Sequence, residues 1–259
     1  MSRPVQAMRL ISDILLIYRR QVRQSLRVPM TLVLGLLQPI LYLLFFGPVF
    51  SRVSTSFGTE ASGLQLFVPG ILVQLGMFSS SFVGFGIIAE LRLGIIERFR
   101  VTPVSRLALL LGRVLRDGSL LGLQGIVLLV LATILGLRAP ALGLILALAI
   151  VVMLGVALSS LSYALGLVTR QEFVFAPFLN LVLVPVLLLS GILLPMSMAP
   201  PWLRTLSRFN PLAHIVDGIR DLFLGRYLTG NVVAGGVAVV GLAVLSVALA
   251  TRLFLRENA

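Results

Sequence analysis

His214, Asp217 and Asp221 are spaced three and four residues apart, which stacks side chains on one face of a helix. An imidazole beside two carboxylates is a donor set for a divalent metal. The chain has a single histidine, so no other stretch can offer that set. The same segment opens with Asn210-Pro211, an N-cap followed by proline at the first helical position. Leu212, Ile215, Val216, Ile219, Leu222 and Phe223 then form an apolar face. An amphipathic helix that turns its polar side, Arg220 included, toward water or a neighbouring helix end accounts for these residues without any metal. The rest of the reactive inventory is small. There is no cysteine, and all 21 basic residues are arginine. Thiolate sites are excluded, and so is a Walker A loop, which needs a lysine to reach the nucleotide phosphates.

A second cluster lies between 90 and 117. Glu90, Arg92, Glu97, Arg98, Arg100, Arg106, Arg113, Arg116 and Asp117 are charges of both signs among Leu, Ile and Phe. Residues 91–100 have the pattern of a short helix, and Val101-Thr102-Pro103-Val104-Ser105 ends it, since proline breaks the ladder and Ser105 can cap the next helix. Ile95, Ile96 and Phe99 with Glu97, Arg98 and Arg100 make a charged amphipathic knob suited to a groove on a partner. An interfacial loop that only fixes orientation uses the same charges.

The elements that hold these segments follow from composition. Hydrophobic residues make up 58% of the chain, charged residues 12%, and mean hydropathy is +1.08; a soluble domain carries about 25% charged residues. The expected fold class is an all-α polytopic membrane protein with six transmembrane helices, at about 30–50, 64–89, 114–137, 141–168, 173–194 and 231–254, each near the ~20 residues a bilayer requires. Gln38-Pro39 predicts a kink in the first. Residues 1–29 carry an apolar stripe, Val5, Met8, Ile11, Leu15, Tyr18, Val22 and Leu26, which predicts an amphipathic helix on the membrane surface, with 30–259 as the membrane domain. Residues 195–230 form an outer segment of mixed polarity. With the N-terminus inside, inner connections hold 15 arginines and outer ones six, so both termini are expected in the cytoplasm. Arginines confined mainly to the connections read as topology control, not as a nucleic-acid surface.

Polar groups inside the spans are few. Gln74, Phe78, Ser81 and Phe82 on the second span, with Phe178 and Asn180 on the fifth, are the candidates for a substrate pathway; satisfied polar groups and ordinary packing aromatics read the same way. Gly118 and Gly122 suit close helix contact. No acid is expected at mid-span, which leaves a proton-coupled carrier without a relay. A secondary transporter would instead show an intramembrane carboxylate or a pair of broken helices. An intramembrane enzyme would need convergent His, Asp or Glu at depth.

LRLGIIERFRVTPVSRLALLLGRVLRDG at 91–118 and NPLAHIVDGIRDLFLG at 210–225 resemble the corresponding segments of type-2 ABC exporter permeases, the daunorubicin-resistance-like branch above all, and the plan of the whole chain is similar. The resemblance implies the membrane subunit of an exporter for a drug, antibiotic or lipid, in a bacterial plasma membrane. It implies a second permease copy and separate P-loop ATPase subunits that hold the ATP and magnesium, with no cofactor or catalysis in this chain. Residues 91–103, and within them Ile95, Ile96, Glu97, Arg98, Phe99, Arg100, Val101, Thr102 and Pro103, correspond to the coupling helix. Residues 5–27 correspond to the interface helix. The outer segment, with Asn210, Pro211, His214, Asp217, Arg220 and Asp221, is expected to re-enter the outer leaflet without crossing it.

Overall fold

A computed structural model describes residues 3–27, 29–56, 62–94, 106–192, 196 and 199–256, and those residues contain helices and no strand. The order is α1 Arg3–Leu26, α2 Pro29–Ser56, α3 Gly63–Ser81, α4 Gly84–Arg92, α5 Arg106–Ile134, α6 Ala141–Thr169, α7 Glu172–Leu188, α8 Pro201–Ser207, α9 Pro211–Phe223 and α10 Gly230–Arg256. Among the described residues five stretches are long and apolar enough to cross a bilayer: Val33–Phe50, Gly63–Arg92 (α3 with α4), Leu107–Ile134, Ala141–Thr169 and Gly230–Phe254. The chain is an all-α polytopic membrane protein. α7 is apolar but has 17 residues, about 25 Å at 1.5 Å per residue, shorter than the expected 173–194.

Two expectations change. The helix of the third span starts at Arg106, not near 114, because Arg106 and Arg113 belong to the continuous helix α5. The second span is two helices with a break between Ser81 and Gly84. Pro39 and Pro48 both lie inside α2. The 95–103 segment, and Ser105 as a cap, lie outside the described residues.

α3 is the core. Leu64, Phe67, Val68, Ile71, Leu72, Val73, Leu75 and Met77 are all buried, because α2, α5, α6 and α9 surround it. Its start is fixed by a capping box: Ser62 Oγ accepts from Gln65 N at 3.3 Å, and Gln65 Oε1 accepts from Ser62 N at 2.8 Å. Gln65 Nε2 also donates to the Arg138 carbonyl at 2.5 Å, tying α3 to the α5–α6 hairpin. α10 packs along α6 and α9. α7 touches α6 and α4 only lightly, and it exposes Phe173, Leu181 and Leu188.

The face that α1 turns to α5 is not centred on the expected stripe. Ile14 and Ile17 sit on Gly112 of α5, where a Cβ would stand 2.7 Å from Ile17 Cγ2. Ile11, Leu15 and Leu26 remain exposed, the face a surface helix turns to lipid. Val5 and Met8 have no described side chains. Gly118 and Gly122 let Val152 and Val156 of α6 approach to 3.4 Å of where a Cβ would be.

Candidate functional site

Polar groups collect at the two ends of the bundle. At one end lie Ser62, Gln65, Arg138 and the α8–α9 segment. At the other lie α1, the C-terminal end of α4 and the first turns of α5.

In the α8–α9 segment Asn210 is the N-cap of α9, its side chain accepting from Leu212 N at 3.0 Å, with Pro211 following it. The apolar face read from the sequence is the buried one. His214, Asp217 and Asp221 do not converge. His214 Nε2 meets the Arg208 carbonyl at 2.9 Å, Asp217 accepts from Arg220 at 3.0 Å, and Asp221 accepts from Thr229 at 2.7 Å and Asn231 at 3.0 Å. Among the described residues no group of three His, Cys, Asp or Glu side chains could share a metal. Arg220 is the structural residue here. It is buried, and it also donates to the carbonyls of Leu66 at 3.2 Å and Gly191 at 2.6 Å. Burial lowers the pKa of its guanidinium while the Asp217 charge opposes that shift, and it remains a cation.

The opposite end holds a network that crosses four elements. Arg113 of α5 pairs with Glu90 at the end of α4. Arg116 donates through Nε (2.8 Å) and Nη2 (2.5 Å) to Asp117 Oδ1, and Tyr163 of α6 donates to Asp117 Oδ2 at 2.5 Å. Arg116 also reaches Ser25 of α1 at 3.4 Å, and Tyr18 of α1 meets Ser119 of α5 at 3.0 Å. Arg92 and Glu172 join α4 to α7 at 3.2 Å, with side chains 55% and 45% exposed.

Asp117 lies in the first half of α5, within the first turn of the expected third span at 114–137. It is a buried carboxylate within an apolar helix, the feature named above for a secondary transporter. Its acceptor positions are taken by Arg116 and Tyr163, as a structural ion pair requires. The spacing gave no sign of this pairing, because Tyr163 is 46 residues farther along the chain.

A cavity of about 610 Å³ opens beside this network. Gln21, Gln24 and Ser25 of α1, Ser79 and Ser80 of α3, Glu90 of α4 and Arg116, Asp117 and Gln124 of α5 supply its polar lining. None of the six pathway candidates is in that lining. Ser81 and Phe178 border a different cavity of about 430 Å³, almost wholly apolar, between α3, α6, α7, α9 and α10. Gln74 is buried in α3, its Oε1 without a hydrogen-bond partner. Asn180 donates to the Ala176 carbonyl of its own helix at 3.1 Å. Phe78, Phe82 and Phe85 form a ladder of nearly parallel rings, 6.2 and 6.1 Å between centroids, and Phe85 meets Phe175 edge-on at 4.9 Å. Phe175 is fully buried while Phe173 and Phe178 are 72% and 46% exposed. The aromatics therefore form no common surface.

Comparison with known proteins identifies this arrangement. A putative transport permease, ycf38, from Cyanophora paradoxa is 30% identical over 219 residues, 82% of this chain and 74% of that protein. The daunorubicin resistance ABC transporter permease protein DrrB1 of Streptomyces coeruleorubidus is 26% identical over 233 residues, covering 89% of this chain and 82% of that one. Nodulation protein J of Rhizobium leguminosarum bv. trifolii shares 32% identity over 131 residues, 47% of this chain and 50% of its own. The sequence profile described as ABC-2 type transporter matches residues 12–224, a stretch that runs from within α1 through the ion-paired end to the close of α9, and on that match the chain belongs to the ABC-2 type transporter family.

Proposed function

We propose that this membrane subunit of an ABC transporter exports a bulky apolar or amphipathic substrate, and that separate P-loop ATPase subunits drive it. The observation that carries the reading is the ion-paired end of the bundle. Glu90–Arg113 and Arg92–Glu172 fix the end of α4, from which residues 93–105 run to α5, and α1 packs on α5 at the same end. A force applied to 95–103 is thereby delivered to ordered helices and not to a free loop. A chain without lysine cannot supply the phosphate-binding loop itself, so ATP and magnesium belong to the partner. The arginine asymmetry supports placing that end, and both termini, in the cytoplasm of a bacterial cell, and the buried pair at Asp117 leaves a proton-coupled carrier without a free carboxylate.

The test is association and transport at matched membrane expression, with the cognate ATPase subunit co-expressed. Glu97→Arg and Phe99→Ala should each reduce ATPase recovery or transport at least tenfold, the scale set by unpairing a charge at a partner interface, about 2–5 kcal/mol. The permease purified alone should hydrolyse no ATP. Wild-type recovery and transport in both variants would return 95–103 to an interfacial loop.

A further inference from the structure

The break in the second span lies in the middle of an apolar stretch, Gly63–Arg92, where an unpaired backbone group has no water to turn to. One side chain closes it. Ser162 Oγ of α6 accepts from Gly84 N at 2.8 Å and donates to the Ser81 carbonyl at 2.5 Å. Gly84 permits this approach, because a Cβ there would stand 2.8 Å from Ser162 Oγ and closer still to the Ser162 carbonyl and the Phe175 ring. Gly166, one turn along α6, lies in the same contact, its missing Cβ 2.8 Å from the Gly84 carbonyl and 2.7 Å from Ile87. The two halves of the span have different neighbours: α3 is enclosed by α2, α5, α6 and α9, whereas α4 rests chiefly on α6 and α7.

We propose that Ser162 is the positioning residue for transport at a pivot in the second span: α4 turns as a unit about Ser81–Gly84 while α3 stays with the body. The hydroxyl is suited to this because one oxygen serves both sides of the break and can keep either bond while the other lengthens. The beginning of α7 follows α4 through Phe85–Phe175 and Arg92–Glu172. The pivot itself rests on the geometry; that nucleotide drives it rests on the function proposed above.

The cysteine-free background allows spin-label pairs in nanodiscs with one labelled permease per complex. Label pairs at 93 and 249 and at 62 and 249 use exposed Leu93, Ser62 and Leu249. In the permease alone, Ser162→Ala should broaden the 93–249 distance distribution and leave 62–249 unchanged, with Ser162→Thr close to wild type. Trapping ATP in the wild-type complex should shift 93–249 by several ångströms at a constant 62–249. Ser162→Ala should lower transport per ATP hydrolysed by about tenfold, the scale of leaving buried polar groups unpaired. Equal shifts at both pairs would mean a rigid span and overturn the pivot while supporting the ATP-driven reading. Identical distributions in Ser162→Ala and wild type would overturn it as well. Failure of the ATPase to associate would defeat the proposed function, and the comparison in the permease alone would still decide the pivot. Should Ser162→Ala not accumulate in the membrane, the two wild-type distances carry the decision.

Discussion

Asp117 shows how a charge survives inside an apolar helix. Both carboxylate oxygens are occupied, by two N–H groups of Arg116 and by the Tyr163 hydroxyl, and Arg116 is in turn held by Ser25 and Tyr163. Removing one member leaves the other charge buried and unpaired, which costs about 3–5 kcal/mol. Asp117→Ala should therefore lower the detergent-solubilised melting midpoint substantially, whereas Asp117→Asn, which still accepts from Tyr163, should lower it less. A midpoint unchanged in Asp117→Ala would show that the network contributes nothing to stability. Arg220 is a second residue of this kind at the other end: one guanidinium covers the carbonyls of Leu66 and Gly191 as well as Asp217, three acceptors that a fork of donors can meet and an ammonium point charge cannot.

Among the elements, α1 depends on a single missing side chain. Gly112 lets Ile14 and Ile17 settle onto α5, and the helix keeps Ile11 and Leu15 for the membrane surface. Gly112→Leu should push α1 off α5, an overpacking cost of about 1–3 kcal/mol. Protease cleavage within α1 should rise several-fold while the membrane-inserted body stays protected. Cleavage at the wild-type rate would mean that lipid, not α5, holds α1. α4 contrasts with α1. It is short, bounded by the break at Ser81–Gly84, and held at its end by Glu90–Arg113 and Arg92–Glu172.

For the whole molecule, sidedness is the testable statement. The structure sorts Ser62, Gln65 and Arg138 to one end and α1 with the Asp117 network to the other, in agreement with the arginine count, 15 inner against six outer. Single cysteines at Ser12 and Ser62, both exposed, should show opposite behaviour toward an impermeant thiol reagent in intact cells: labelling at Ser62→Cys and none at Ser12→Cys. The reverse pattern would invert the assignment.

Composition and hydropathy alone determined the membrane class, the position of the long helices and the amphipathic character of α1 and α9, because lipid demands apolar runs of fixed length and an N-cap such as Asn210-Pro211 is a local device. The 210–225 and 91–118 motifs pointed to the family before any fold was known. The start of α5 depends on a charge partner that the sequence does not show: Arg113 reads as part of a connection, whereas Glu90 of α4 pairs with it inside the helix. Only the tertiary structure decided which face of α1 packs on α5, through Ile14 and Ile17 at Gly112, and the separation of Gln74, Phe78, Phe82 and Asn180 from the polar cavity. It alone revealed the break at Ser81–Gly84. That break needs a hydroxyl 78 residues farther along the chain to satisfy Gly84 N, and no periodicity in a single segment can announce a hydrogen bond whose other half is supplied by another helix.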